Sequence, residues 1–215
     1  MVLLTYVQIL PSGAPPAAGL VLAPFRGLRY AQDRVSGLAE VTSPPYDVIA
    51  HEAEDHLLAS DPHNIVRLIL PRQGAGNPRE AANGARAEPA YADAARMLRD
   101  WQDEGILVPD PVPALYVYEQ TRTDGQVLQR GLIGALRLAP LGAGPVLPHE
   151  DVIPGPVAGR RQLMEATGAN LEPIFLLYDG NGPATATVQI TEQARRGEPL
   201  VTSTPRTGSG TGCGA

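Results

Sequence analysis

The sequence predicts an α+β fold, in which a mixed sheet with a central β-hairpin is flanked by helices. Three observations carry this prediction. Segments typical of strands and of helices follow one another in mixed order, which favours an α+β or α/β protein over either pure class. One segment has a clear helical period, and one pair of β-rich segments flanks an Asp-Gly turn. The 215 residues are enough for one domain of ordinary size or two small ones, and we expect this domain to be incomplete.

The first predicted elements are an apolar strand within residues 19–30, a short helix over residues 51–60 and a strand over residues 64–70. Pro24 and Gly27 indicate a turn within the first of these segments. The stretch NIVRLIL, at residues 64–70, is rich in branched apolar side chains, which is typical of a strand.

The helix over residues 90–104 has the strongest pattern in the chain. Pro89 is suited to the start of a helix, apolar side chains recur at helical spacing, and Gly105 ends the pattern. The hairpin comes next, because Asp124-Gly125 is a turn dipeptide between two β-rich runs.

The remaining predicted elements are a helix of two to three turns over residues 160–169 and a buried strand over residues 173–179. Residues 19–200 are expected to hold the folded part. Residues 1–18 are expected to form a poorly ordered N-terminal extension, and residues 201–215 a disordered tail.

The composition limits the partners and the chemistry of this protein. The net charge is -6, which argues against binding of a nucleic-acid backbone, since that requires clustered basic residues. All 17 basic residues are arginine, which excludes a Schiff-base lysine and a phosphate-loop lysine. The single cysteine, Cys213, cannot form an intramolecular disulfide and fits a reducing cytoplasm. The apolar N-terminal run of about ten residues is too short to span a bilayer.

We predict no metal site. His51 and His56 lie five positions apart, whereas two zinc ligands on one helix face are four apart. The two side chains would therefore point in different directions around a helix.

Three stretches carry polar residues that a plain core does not need. The candidate binding residues are Arg26, Ser43, Tyr46, Asp47, Asn64, Arg67, Arg160 and Asn170, and the candidate catalytic residues are His149 and Glu150. The arginines could bind an anion, while His149 or Glu150 could act as acid or base.

A structural role is the alternative for each of these residues. Asp47 and Asn64 are residue types that often cap helices or form turns. Arg160 and the neighbouring Arg161 could simply be exposed on a helix. If Arg67 lies on a buried face it needs a partner, and Asp47 or Glu150 could supply the carboxylate.

Several motifs together resemble the DUF1015 family, over about residues 24–179. They are PFRGLRY, VTSPPYDVI, NIVRLILP, LRDWQDEGIL, ALYVYEQ, RGLIGALRL, VLPHE and NLEPIFLLYD, in the family's order. The chain departs from the family pattern at two places. Asp151-Val152 stands where the family usually has a threonine after the His-Glu pair. GPVAGRR stands where a GPKADR-like run is usual, which makes Arg160 the counterpart of the family's arginine.

The resemblance implies relatives about twice as long, with a later Gly-His-His-Arg-like motif similar to the ParB/sulfiredoxin-type fold. That motif is absent from this chain. Two functions are therefore open. One is a truncated metabolite-binding or regulatory protein of the cytoplasm, which binds a small-molecule metabolite or a protein without turnover. The other is a nucleotide-dependent phosphotransferase of the free-serine-kinase type, active in serine metabolism, with a nucleotide and Mg as cofactors and its key motif missing here.

Within the C-terminal tail, the stretch Pro205 to Gly214 fits the family pattern poorly. A shifted reading of compatible GC-rich codons for this stretch encodes Glu-Asp-Gly-Val-Arg-His-Arg-Leu-Trp, a turn followed by an amphipathic strand. We therefore expect the tail to be out of frame and Cys213 to carry no chemistry, in a chain that holds the N-terminal part of a longer protein.

Overall fold

The computed structural model describes residues 4–6, 21–72, 88–138, 140, 146–147, 154–177, 186–194 and 196–203. The helices in this part are α1 (Leu38–Val41), α2 (His51–Ser60), α3 (Val66–Ile69), α4 (Glu88–Asp103), α5 (Pro154–Thr167) and α6 (Ala186–Ala194). The strands are β1 (Leu4–Tyr6), β2 (Leu22–Ala23), β3 (Gly27–Tyr30), β4 (Leu107–Pro109), β5 (Tyr116–Thr121), β6 (Val127–Ile133), β7 (Ala135–Leu136) and β8 (Ala169–Asn170).

The α+β class is confirmed, and the described strands form three small antiparallel sheets. The largest has the order β4-β3-β1-β8, while β2 pairs with β7 and β5 pairs with β6. In the four-stranded sheet Leu4 lies opposite Leu28, and Thr5 lies opposite Asn170. Residues 4–6, which fall in the expected N-terminal extension, thus provide a strand between β3 and β8.

The predicted helix over residues 90–104 is confirmed as α4. Its apolar face is buried through Tyr91, Ala94, Leu98 and Trp101, which recur at the spacing of one helix face. Gly105 follows the helix with a φ of 72°, a left-handed conformation that favours glycine, and the chain then enters β4.

The predicted hairpin is also confirmed. Strands β5 and β6 pair from Tyr116 opposite Ile133 to Thr121 opposite Val127, and Gly125 has a φ of 85° in the turn. The short helix over residues 51–60 is α2 as predicted, whereas α5 begins six residues before the predicted start of its helix.

The main core lies where α3, α4 and the four-stranded sheet meet. Its fully buried members include Leu28, Val41, Val66, Leu68 and Leu107. A smaller cluster, centred on Phe25 and Tyr116, attaches the hairpin. None of the described helices is both long and apolar enough to cross a membrane.

The predicted strand over residues 64–70 is wrong, because this segment forms a turn and the short helix α3. Val66, Leu68 and Ile69 are all buried, so the apolar run shows no one-sided pattern that could distinguish a strand from a buried helix. A polar contact stabilises the turn before α3: the Asn64 side-chain oxygen accepts a hydrogen bond from the Val66 N–H at 2.9 Å.

The predicted buried strand over residues 173–179 is also wrong for its described part, residues 173–177. These residues lie outside any strand, with Ile174 85% exposed and Leu177 86% exposed. Pro173 has no N–H to donate to a neighbouring strand, and β8 has already ended at Asn170. An apolar run predicts burial only where the fold supplies a surface to cover it.

We expect Asn64→Ala to lower the free energy of unfolding by about 3 kcal/mol, since it removes a fully buried amide and the hydrogen bonds that this amide donates to two backbone carbonyl groups. Those groups are the backbone oxygens of Glu40 and Thr42, which accept from the Asn64 amide at 2.7 and 3.1 Å. Urea unfolding measures the change. Gln32→Ala is the control, because the Gln32 amide is exposed and makes a single 3.5 Å contact. An equal loss of stability in both variants would contradict a stabilising role for the Asn64 hydrogen bonds.

Candidate functional site

The turn over residues 43–48 presents one side of the candidate site. Pro44 and Pro45 restrict the backbone, and the Val48 N–H donates to the Pro45 carbonyl at 3.1 Å. This turn leads to α2, whose N-terminal cap is Ala50. The alternative role of Asp47 as the cap of this helix is therefore wrong, and its carboxylate is exposed on the turn.

Arg160 approaches the turn from α5. Its guanidinium carbon lies 4.2 Å from the centre of the Tyr46 ring, a cation–π distance. Its Nη1 donates to the Ile69 carbonyl at 2.7 Å and lies 3.5 Å from a carboxylate oxygen of Glu172. The remaining donors, Nε and Nη2, make no hydrogen bond within the described part of the chain, and the side chain is 28% exposed.

Glu172 connects the turn to Arg160. Its Oε1 accepts a hydrogen bond from the Tyr46 backbone N–H at 2.9 Å, while its Oε2 faces Arg160. Burial raises the pKa of the Glu172 carboxyl, and the negative charge of Asp47 adds to this effect. The Tyr46 N–H and Arg160 favour the ionised form, but they do not offset the burial, so the pKa stays above its usual range.

We call Tyr46, Asp47, Arg160 and Glu172 the Arg160 cluster. It offers a cation whose Nε and Nη2 make no hydrogen bond to the described residues, an aromatic ring that lies against this cation, and a half-buried carboxyl group of raised pKa. A guanidinium of this kind suits a carboxylate or phosphate, because its planar donors can bind two oxygens at once.

Ser43 lies three residues before Tyr46 on the same turn. Its hydroxyl oxygen is buried and has no hydrogen-bond partner among the described residues. Buried hydroxyl groups normally have a hydrogen-bond partner. The Ser43 hydroxyl, three residues from Tyr46, is therefore a group that a ligand could hydrogen-bond.

The two other predicted binding arginines are engaged elsewhere. The Arg26 Nε donates to the Asp110 carbonyl at 2.6 Å, at the junction of the sheet and the hairpin. The Arg67 Nη2 donates to the Leu58 carbonyl at 2.5 Å, and its buried Nε has no partner within the described residues. The carboxylate of Asp47, proposed from the sequence as a partner for Arg67, is not within ion-pair distance of it.

The two predicted asparagines lie in the framework that supports the cluster. Asn64 is fully buried, and its amide holds the backbone just before the turn. Asn170 pairs with Thr5 in the sheet, two residues before Glu172. Neither contact involves a side chain of the Arg160 cluster.

The predicted catalytic pair, His149 and Glu150, lies outside the described residues. Glu172 was missed as a site residue, although it lies within the NLEP motif. The sequence feature that could have indicated it is a single carboxylate between Leu171 and Pro173, followed by the apolar residues 173–177. A charge in such a place needs partners, and here they are Arg160 and a backbone N–H.

The side chains of the Arg160 cluster determine which kinds of ligand it could bind. Arg160 fits a phosphate or carboxylate group, and the carboxylates of Asp47 and Glu172 are of the type that binds Mg²⁺ together with phosphate oxygens. Within the described ranges, no group of three or more His, Cys, Asp or Glu side chains is arranged to hold a metal ion by itself.

Comparison with known protein families gives one match. The family described as "Protein of unknown function (DUF1015)" matches residues 22–211. The chain belongs to the DUF1015 family. The matched region includes the whole Arg160 cluster and extends to residue 211, within the C-terminal tail. No curated protein and no solved structure matches this DUF1015 chain, so the ParB-like similarity stays a prediction.

We expect Glu172→Gln to become more stable relative to the wild type as pH rises from about 4 towards neutrality. The raised pKa means that the folded state holds the Glu172 proton more tightly than the unfolded state does. The wild type therefore loses stability as pH rises through the unfolded pKa and up to the folded one. The glutamine keeps an acceptor for the Tyr46 N–H and has no proton to lose.

Urea unfolding of both proteins across this pH range measures the difference. Glu52→Gln is the matched control, because it is the same substitution at an exposed position of α2. If the stability difference between Glu172→Gln and the wild type does not change with pH, the pKa of the Glu172 carboxyl is not raised in the folded protein.

Proposed function

We propose that this DUF1015 protein binds a small acidic metabolite at the Arg160 cluster and acts as a binding or regulatory protein. The observation that supports this most directly is the state of the Arg160 guanidinium. It is held between Tyr46 and the Ile69 carbonyl, yet two of its nitrogens remain free within the described part of the chain.

The comparison with other arginines supports the same proposal. Arg29 and Arg130 contact carboxylates at 2.5 and 2.6 Å, so their charges are well compensated inside the fold. Arg160 has only a 3.5 Å contact with Glu172. A cation that is positioned but weakly paired can bind an incoming anion without first breaking a strong ion pair.

A small molecule is the partner that the charge of the protein favours. The net charge of -6 disfavours a polyanion such as nucleic acid, whereas a single acidic group needs only a local cation. We propose the cytoplasm as the location, because the sequence has a single cysteine.

We expect Arg160→Ala to weaken the binding of inorganic phosphate or succinate at least about tenfold, corresponding to about 1.4 kcal/mol, since charged hydrogen bonds are lost. Isothermal titration calorimetry on the full chain measures the affinity. Arg161→Ala is the matched control, because Arg161 is adjacent on α5, 76% exposed, and paired with Glu165. Equal affinity of wild type and Arg160→Ala for both anions would refute the proposal.

A second candidate function is transfer of a phosphoryl group from a nucleotide to a small hydroxyl substrate, such as serine. Glu172 is the observation that favours it, because a carboxyl of raised pKa can accept the proton of an attacking hydroxyl. Arg160 would then hold a phosphate. Because the Gly-His-His-Arg-like motif is absent from this chain, the test uses a longer relative that carries it: incubation with Mg-ATP and serine should yield phosphoserine, and replacing its counterpart of Glu172 by glutamine should abolish the product. Absence of both nucleotide binding and product would exclude this function.

A further inference from the structure

Glu172 and an acidic ligand would use the same cation. The Glu172 Oε2 lies 3.5 Å from the Arg160 Nη1, beyond the usual range for a charge-assisted hydrogen bond. All other arginine–carboxylate contacts within the described residues measure 2.5 to 2.9 Å. The Arg160–Glu172 contact is therefore the loosest of its kind in this part of the protein.

We infer that Glu172 is an internal competitor for the anion site: an acidic ligand displaces it from Arg160, and its carboxyl group then takes up one proton. The inference rests on the proposed function, since it requires that Arg160 binds an anion. It adds a coupling between ligand binding and pH that the binding site alone does not imply.

The geometry assigns separate tasks to the two carboxyl oxygens. Oε1 accepts the Tyr46 N–H at 2.9 Å, while Oε2 faces Arg160. When a ligand occupies Arg160, Oε2 loses its cation and takes a proton from the solvent. Oε1 can keep the hydrogen bond to Tyr46, so the turn stays in place while the charge of Glu172 is removed.

The charges around Glu172 favour this proton uptake. Among the described residues, the charged groups that face it are Arg160 from α5 and Asp47 from the turn, and the Tyr46 backbone N–H supplies a further polar contact. Once a ligand anion neutralises Arg160, the ionised carboxyl would face Asp47 and a second negative charge in a half-buried site. Protonation relieves that repulsion. Burial already raises the pKa of the carboxyl in the free protein.

Affinity for the anion should therefore fall as pH rises. One coupled proton gives a decrease of at most about tenfold for each pH unit. Sulfate is a suitable probe, because it keeps the same charge across the range from about pH 5 to 8, so any pH dependence of its binding comes from the protein.

The experiment is calorimetric titration of the full chain with sulfate between about pH 5 and 8, in pairs of buffers with different ionisation enthalpies. For the wild type we expect weaker binding at higher pH and a net uptake of protons. Glu172→Gln should bind sulfate more tightly than the wild type at the upper end of the range, with little pH dependence. Asp47→Asn should move the wild-type profile to lower pH.

The outcomes separate this inference from the proposed function. If Arg160→Ala abolishes sulfate binding but Glu172→Gln keeps the wild-type affinity and pH profile, the competitor role is wrong and the anion site stands. If Arg160→Ala binds sulfate normally, both are wrong. Should Glu172→Gln fail to fold, the proton count on the wild type still decides, since binding without proton uptake at any pH overturns the inference.

Discussion

The side-chain amide of Asn64 is the contact on which the geometry of the candidate site depends. Its nitrogen donates to the backbone oxygens of Glu40 and Thr42, and its oxygen accepts from the Val66 N–H. A fully buried amide can make these bonds only if all three backbone groups stay in place. The chain entering the turn is thereby joined to α3, the helix whose Ile69 carbonyl holds Arg160.

The Arg160 cluster and the Asp110 site differ in how completely their charges are compensated. Asp110 shows the opposite case: burial raises its pKa, but hydrogen bonds from Arg29 and Tyr116 outweigh this effect, and the pKa is lowered overall. Asp110 is thus stabilised as an anion that ties the hairpin to the sheet. Burial raises the pKa of Glu172, and Arg160, at 3.5 Å, does not offset this effect. Incomplete pairing makes the cluster suited to a ligand, whereas complete pairing suits structure.

Part of the fold and of the site could be predicted from local sequence. The helix α4 and the hairpin follow from periodicity and turn residues, which act over a few positions. Arg160 and Tyr46 could be selected as site residues, since both lie in polar stretches that a core does not require. Their contact could not be predicted, because 114 positions separate them and only the packing of α5 brings them together.

By itself, the sequence determined the fold class, the α4 helix, the hairpin, the acidic charge and the membership of the DUF1015 family. Each of these depends on local sequence patterns or on the overall composition and charge of the chain. The tertiary structure decided the rest. It made residues 66–69 a helix, left residues 173–177 exposed, and gave Glu172 its partners. The physical reason is that burial and the pairing of charges depend on surfaces contributed by distant segments, which no local pattern encodes.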